Sequence, residues 1–251
     1  MVYSSHNSSK KTAMIKAGQI LTSVLTDLKA EIKVGITTKE LDQKAQDLIH
    51  HYGGQVSFNK VPGYHWATCM SVNEVIVHGV PSHYRLKEND MLKLDIGVYL
   101  NGYHIDYGDS FYLGTPPPAV SRFMDVGRAT LKKVILLAKA NTHIGLVSQT
   151  IEQSIQGAGY QVIYNLTGHA VGKELHEDPL IPQFLEGSIA KTPRFQAGNA
   201  YALEIIYSMK DSQIRHANND GWSLRTKTGS TNCCFENTVF IEPDQSLVIV
   251  N

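Results

Sequence analysis

Between Lys11 and Ile32 the apolar residues Met14, Ile15, Ile20, Leu21, Val24, Leu25, Leu28 and Ile32 recur at three- and four-residue steps, which predicts a helix with one buried stripe. Gly35 ends that segment. Thr37 with Glu40 three residues later fits a capping box, so a second helix is expected through about Tyr52, where Gly53-Gly54 stops it. The period then shortens. Strands are predicted over Thr68–Val77, Met91–Leu100 and Tyr103–Leu113, ahead of the breaker Thr115-Pro116-Pro117-Pro118. After it the order repeats. Val120, Phe123, Met124, Leu131, Val134, Ile135 and Leu137 mark a long amphipathic helix, and Ile144-Gly145-Leu146 follows as Val34-Gly35-Ile36 did, before a short helix closed by Gly157 and Gly159. Strands follow over Gln161–Leu166, Asn199–Tyr207, Ser223–Thr226 and Cys233–Val239, the last two separated by a turn near Gly229. This repetition predicts an α+β chain: a tail at 1–10, then one domain at 11–251 built from related halves at about 11–114 and 119–251. Their strands would meet around a shared cleft.

The stretch KLDIGVYLNGYHIDYGDSFYLG, Lys93 to Gly114, carries aspartates in an otherwise apolar ribbon. Asn101-Gly102 between two alternating runs is a strong signal for a two-residue hairpin loop, because both central residues take positive φ. That places Leu100 opposite Tyr103, Gly97 opposite Asp106 and Asp95 opposite Gly108. Asp95 and Asp106 then share a face as diagonal neighbours, roughly 7–8 Å apart at the backbone. Like charges so placed on a buried ribbon repel unless a proton or a cation lies between them.

Composition narrows the function. At 251 residues the chain can bury a full core without a partner. Lys+Arg and Asp+Glu are both 23, so no basic field recommends DNA or another nucleic acid, and a small molecule or peptide is the better-matched substrate. The three cysteines, Cys69, Cys233 and Cys234, have neither disulfide-framework nor CxxC spacing, which fits a reducing compartment. The opening MVYSSHNSSKK lacks an apolar signal core, and no run approaches the ~20 apolar residues of a membrane span, so a cytoplasmic protein with no membrane partner is expected.

Two glutamates also interrupt apolar strands, Glu204 in YALEIIY and Glu236 in CCFENTVFI. A carboxylate there is costly to ionise unless a cation pairs with it. His169, in LTGHAVG, follows a strand beside glycines that permit close backbone approach. Alone, any of these is more often structural, and His50, His51, His143 and His216 read as solvated loop or helix-end residues. Together, Asp95, Asp106, His169, Glu204 and Glu236 make an oxygen-rich set with one imidazole, suited to two divalent ions such as Co, Mn, Fe or Zn. Four carboxylates balance two such ions, and a pair of this kind supports hydrolysis.

The chain resembles the type I methionine aminopeptidases of the pita-bread metallopeptidase family. The resemblance rests on SVNEVIVHGVP (Ser71–Pro81), LDIGVYLNGYHID (Leu94–Asp106), GHAVGKELHEDP (Gly168–Pro179), Glu204, and Trp222-x-x-x-Thr226-Lys227 with Glu236, and runs from about Lys10 to Val250. It implies a pita-bread fold, an antiparallel sheet covered by helices. It also implies that Asp95 chelates one metal, that His169 and Glu204 chelate the other, and that Asp106 and Glu236 bridge both, with a shared water as nucleophile. Glu204 would accept a proton, His176 would donate to the scissile carbonyl oxygen, and His78 would contact the scissile amide or leaving group. The implied activity is removal of the initiator methionine before a small second residue, and the implied partner is the N-terminus of a nascent polypeptide at the ribosome. One chain carries the whole set, so a monomer suffices.

Departures from the family pattern fall around specificity. FNKVPGYHWATC stands where Tyr-x-Gly-Tyr/Phe-Pro is common, with Val61, Gly63, Tyr64 and His65 in the methionine-pocket stretch. Cys69, Tyr64, His78 and Trp222 are expected to line that pocket, with Phe58 a weaker candidate. Ile205-Ile206 follows Glu204 in place of Pro-Met/Phe, Ala170 stands for a glycine and Lys173 for an arginine. Two rival readings share the fold: an X-Pro aminopeptidase or dipeptidase, which usually carries an added N-terminal domain, and a non-catalytic binding protein, which typically loses metal ligands and is basic.

Overall fold

The structure is a computed structural model that describes residues 5–251, with side chains from residue 9. Helix α1 spans Ser5–Glu31 and α2 Thr38–His51. Residues 1–4 of the expected tail lie outside the described residues, while residues 5–10 extend α1 upstream of Lys11. The capping box forms as predicted: the Glu40 N–H donates to Thr37 Oγ1 at 3.1 Å, and the Thr37 N–H donates to the Glu40 carboxylate at 2.8 Å. Strands β1 (Gln55–Val56), β2 (Thr68–Val72), β3 (Val75–Val77), β4 (Met91–Leu100) and β5 (Tyr103–Tyr112) complete the first half.

Helix α3 covers Pro118–Leu137 and α4 Ile144–Gly157. They lead into β6 (Gln161–Val162), β7 (Thr167–Val171), β8 (Glu177–Pro182), β9 (Ala200–Ser208), β10 (Ile214–His216), β11 (Leu224–Thr226), β12 (Asn232–Ile241) and β13 (Ser246–Val248).

The predicted strand 68–77 is two strands in two sheets. Asn73 takes φ +53°, which breaks the run, and its side chain bonds Asp90 and the Met91 N–H instead of continuing a ladder. The strand predicted over Gln161–Leu166 stops at Val162, and His169 lies within β7 rather than after a strand. Gly145 also differs from Gly35: it lies in the first turn of α4, where a Cβ would come 2.8 Å from the Thr192 side chain, so its glycine serves close packing.

The main sheet runs β1-β4-β5-β12-β9-β7-β8, with β2 added to β4, β6 to β9 and β13 to β12; β10, β11 and β3 form a smaller sheet. All these pairings are antiparallel. The hairpin register matches the prediction, with Leu100 opposite Tyr103, Gly97 opposite Asp106 and Asp95 opposite Gly108. Central to the fold is the β5–β12 pair, which joins the hairpin β4–β5 to the strands β9 and β12 of the second half.

The helices cover one face of this sheet. Leu21, Val24 and Leu28 of α1 and Leu41 and Ile49 of α2 pack with Leu94, Ile96 and Val98, while Phe123 and Val134 of α3 and Val147 and Ile151 of α4 pack with Leu203, Ile205, Tyr207 and Phe235. Because side chains alternate along a strand, burial of Leu94 and Ile96 toward the helices turns Asp95 to the opposite face.

One contact fixes α3 behind the site strands. The Tyr207 hydroxyl enters the helical ladder, donating to the Phe123 carbonyl and accepting from the Gly127 N–H. A Cβ on Gly127 would lie 2.5 Å from the Phe235 ring and 2.6 Å from that hydroxyl. Alanine would gain about 1 kcal/mol of helix propensity, but overpacking against two rigid rings costs ~1–3 kcal/mol. Gly127→Ala is therefore expected to lower the urea midpoint, with a net loss of up to about 2 kcal/mol. A raised midpoint would show that α3 shifts freely and that this packing does not constrain the strands beneath it.

Candidate metal centre

On the face away from the helices, Asp95, Gly108, Glu236 and Glu204 stand opposite one another on the adjacent strands β4, β5, β12 and β9. Asp106, two residues before Gly108 on β5, occupies the next row, where the Thr238 hydroxyl accepts its N–H at 2.8 Å and donates to its carbonyl at 2.9 Å. His169 reaches that row from β7, opposite Ala202, which is itself opposite Thr238. All five predicted ligands thus converge where the two halves meet. Gly108 matters here because a Cβ would come 3.1 Å from Glu236 Cβ and 3.2 Å from its Oε2. Gly97, opposite Asp106, leaves room for Ser57 and Phe58, whose atoms a Cβ there would meet at 2.8 and 2.9 Å.

The charges are not compensated by protein groups. His169 Nε2 lies 3.5 Å from Glu204 Oε1 and 3.9 Å from Asp106 Oδ2. Its Nδ1 is 3.0 Å from the Ala170 carbonyl, which assigns the ring proton to Nδ1 and leaves Nε2 a lone pair facing carboxylate oxygens. Burial, then the neighbouring His176, pushes the His169 pKa down to about 4, so it stays neutral near pH 7.

Burial raises all four carboxyls. Asp106 is raised to about 7; Asp95, Glu204 and Glu236 rise well above the carboxylate range, with repulsion from their neighbours adding to desolvation. At ~5 Å and an effective dielectric of ~20, each adjacent pair of ionised groups costs roughly 3 kcal/mol. Asp95 Oδ1 and Glu236 Oε1 are also buried without a hydrogen-bond partner. Orphaned acceptors, a lone pair aimed at carboxylates and clustered acids share one remedy, a multivalent cation. Ligand atoms of Asp106, His169 and Glu236 already lie within 4.8 Å of one another. The residues fit a divalent metal.

Beside the cluster is a pocket of ≈ 80 Å³ lined by Phe58, Val61, Tyr64, Cys69, His78, Leu175, His176 and Trp222, with Asp95 and Asp106 at its polar end. Every predicted pocket residue is present. Tyr64 is the hub: its ring meets Trp222 and Trp66 edge-on at 5.1 Å each, and its hydroxyl donates to the Thr68 carbonyl at 2.7 Å. Val61 belongs to the stretch read from the sequence as lining the pocket, whereas Leu175 was not singled out. Leu175 lies in an irregular turn with no periodicity, so its one available signal was adjacency to His176. His78 holds φ +56°, an unfavourable backbone for a non-glycine residue and of a kind that concentrates at functional sites. Burial lowers its pKa to about 4, and burial likewise lowers that of His176, whose ring packs against His169 at 4.4 Å.

These shifts set how the metal-free fold responds to pH. A carboxyl with a raised folded pKa stabilises the fold below its unfolded value and loses that contribution as pH rises through the folded value. Neutral buried His78, His104 and His169, all lowered to about 4, act oppositely, but their effect ends above the unfolded value of 6.5. Above that pH four raised carboxyls act against two amines lowered by burial, Lys10 and Lys93, the latter to about 7. The Tm of metal-stripped protein should therefore fall as pH rises above 6.5, whereas metal-loaded protein should hold its Tm. Parallel curves in calorimetry would mean that the cluster tolerates its own charge.

The comparisons agree with this geometry. The sequence profile of metallopeptidase family M24 matches residues 12–243. The chain is 33% identical over 238 residues to a methionine aminopeptidase of Clostridium perfringens, a match covering 95% of this chain and 94% of that one. A solved methionine aminopeptidase from Thermotoga maritima superposes with TM-score 0.92 over 97% of each chain, at 29% identity. A prolidase from Pyrococcus furiosus shares the fold at TM-score 0.77 and 19% identity, with 97% of this chain matched to 64% of that one. The fold is therefore pita-bread, and with matches along nearly its whole length this metal-dependent peptidase chain belongs to family M24 and, within it, to the methionine aminopeptidases.

Proposed function

We propose that the chain removes the initiator methionine from newly made polypeptides in the cytoplasm, favouring a small second residue and acting as a monomer on nascent chains at the ribosome. The observation that carries this reading is the junction of an apolar pocket with the carboxylate cluster. Its aromatic walls, Phe58, Tyr64 and Trp222, suit an unbranched thioether, because sulfur makes favourable contacts with ring edges. The reacting bond of a bound methionyl peptide would then lie at the pocket's polar end, and the short pocket admits a single side chain before the charged site begins.

In this reading Asp95 would hold one divalent ion and His169 with Glu204 a second, and Asp106 and Glu236 would contribute to both. When bound, such ions supply Lewis acidity and bring the pKa of a water toward neutrality. The chain's own residues do the rest. Glu204 takes up a proton near the attacking water. His176, neutral near pH 7, donates an N–H to the carbonyl oxygen as negative charge develops. His78, likewise neutral, contacts the scissile amide from the pocket wall. Tyr64 and Trp222 exclude water around the methionine side chain. The two helix-and-strand halves are read as a duplicated unit within one catalytic domain.

Metal-stripped protein should release methionine from Met-Ala-Ser only after Co, Mn, Fe or Zn is restored, and should leave Ala-Pro-Ser intact under the same conditions. Cleavage of the prolyl peptide alone would move the chain to the X-Pro enzymes. Metal uptake without cleavage of either peptide would remove the catalytic reading.

A further inference from the structure

Cys234 lies on β12 two residues before Glu236, opposite Ile206 of β9, so its side chain emerges on the face that carries the carboxylate row. Its sulfur, one oxygen of Glu204 and one oxygen of Glu236 all lie within 4.8 Å of one another. The backbone that carries it is held firmly. The Ser110 hydroxyl accepts the Cys234 N–H at 3.0 Å and donates to its carbonyl at 2.7 Å. The residue is 6% exposed, and Glu236 beside it is 3% exposed with Oε1 lacking any hydrogen-bond partner.

The other thiols are placed differently. Cys69 lies in the pocket wall, opposite Asp95 and hydrogen-bonded to both its carboxyl and the Tyr64 hydroxyl, the latter at 3.3 Å, and Cys233 packs in the helix-side core, its sulfur 4.0 Å from that of Met91. Cys234 alone points a sulfur without a hydrogen bond, among the described residues, at two ligand carboxylates. Ile76, Val77, Ile163 and Ile206 pack on its outer side and keep water from competing for it.

We propose that Cys234 is an additional metal ligand of this chain, its thiolate joining Glu204 and Glu236 around one divalent ion and biasing the centre toward thiophilic ions over Mn²⁺. The proposal rests on the metal reading above. One sulfur in a set otherwise made of carboxylates and an imidazole shifts preference from hard ions toward Zn²⁺, Co²⁺ or Fe²⁺. As the sulfur–metal bond forms, the thiol proton leaves to solvent.

Titration of Co²⁺ into the metal-stripped full chain tests this by absorption, since a thiolate ligand adds a sulfur-to-cobalt charge-transfer band in the near ultraviolet that oxygen and imidazole ligands lack. Wild-type protein and Cys69→Ser should show the band. Cys234→Ser and Cys234→Ala should bind cobalt, keep a folded circular dichroism spectrum and lack the band. Their Zn²⁺-over-Mn²⁺ affinity ratio should fall by ~10–100-fold, the range seen when a ligand's supporting partner is lost. Cobalt uptake by the wild type without the band, or a band that survives in Cys234→Ser, overturns the thiol ligand and leaves the metal centre standing. No cobalt uptake by the wild type overturns both.

Discussion

Mutual repulsion among Asp95, Asp106, Glu204 and Glu236 is the constraint on which the rest of this structure turns. Three of the four share one row across β4, β5, β12 and β9, and the fourth is diagonal to it. Strands about 4.8 Å apart bring such groups closer than surface carboxylates would settle by themselves. The fold holds them there with apolar burial on the opposite face, where α1 and α2 pack mainly on the first-half strands and α3 and α4 mainly on those of the second. The sheet supplies geometry and the core supplies stability, but neither supplies positive charge. A divalent ion does.

The same geometry explains why chemistry and recognition adjoin. Asp95 belongs both to the carboxylate row and to the pocket wall, because β4 runs along the seam between them and pairs with β2, which places Cys69 directly opposite Asp95. Tyr64 anchors that seam through the Thr68 carbonyl. Asp42 of α2 fixes it from behind, accepting the N–H groups of Ala67 and Thr68 and the Thr68 hydroxyl at 2.8–2.9 Å. Helix α2 therefore reaches the site without touching it.

Features set by local chemistry were legible in the sequence. Asn101-Gly102 dictated the hairpin register, and Thr37 with Glu40 dictated the start of α2. Features set by tertiary contact were not. The run SVNEVIV looks like one strand until Asn73 adopts positive φ to bond Asp90. Strand β7 carries Gly168 and reads as a loop, yet pairing with β9 makes it a strand, since sheet context outweighs weak propensity. Pro179 and Pro182 hid β8, which tolerates them at the sheet edge. Lys93 gave no signal of being buried, because nothing local marks the Asn73 carbonyl that accepts its ammonium at 2.6 Å. The ligand set was found because carboxylates within apolar strands break the expected pattern, whereas Leu175 conforms to no pattern and was missed.

Proton release on metal uptake tests the central claim most directly. Calorimetric titration of a divalent metal into stripped protein, repeated near pH 7 in buffers of different ionisation enthalpy, counts the protons displaced. If the carboxyls are held largely protonated until a cation arrives, uptake should expel more than one proton per chain, and fewer as pH rises. Proton-neutral uptake would mean that the carboxylates are already ionised and compensated in the empty site, and that their repulsion does not govern the fold.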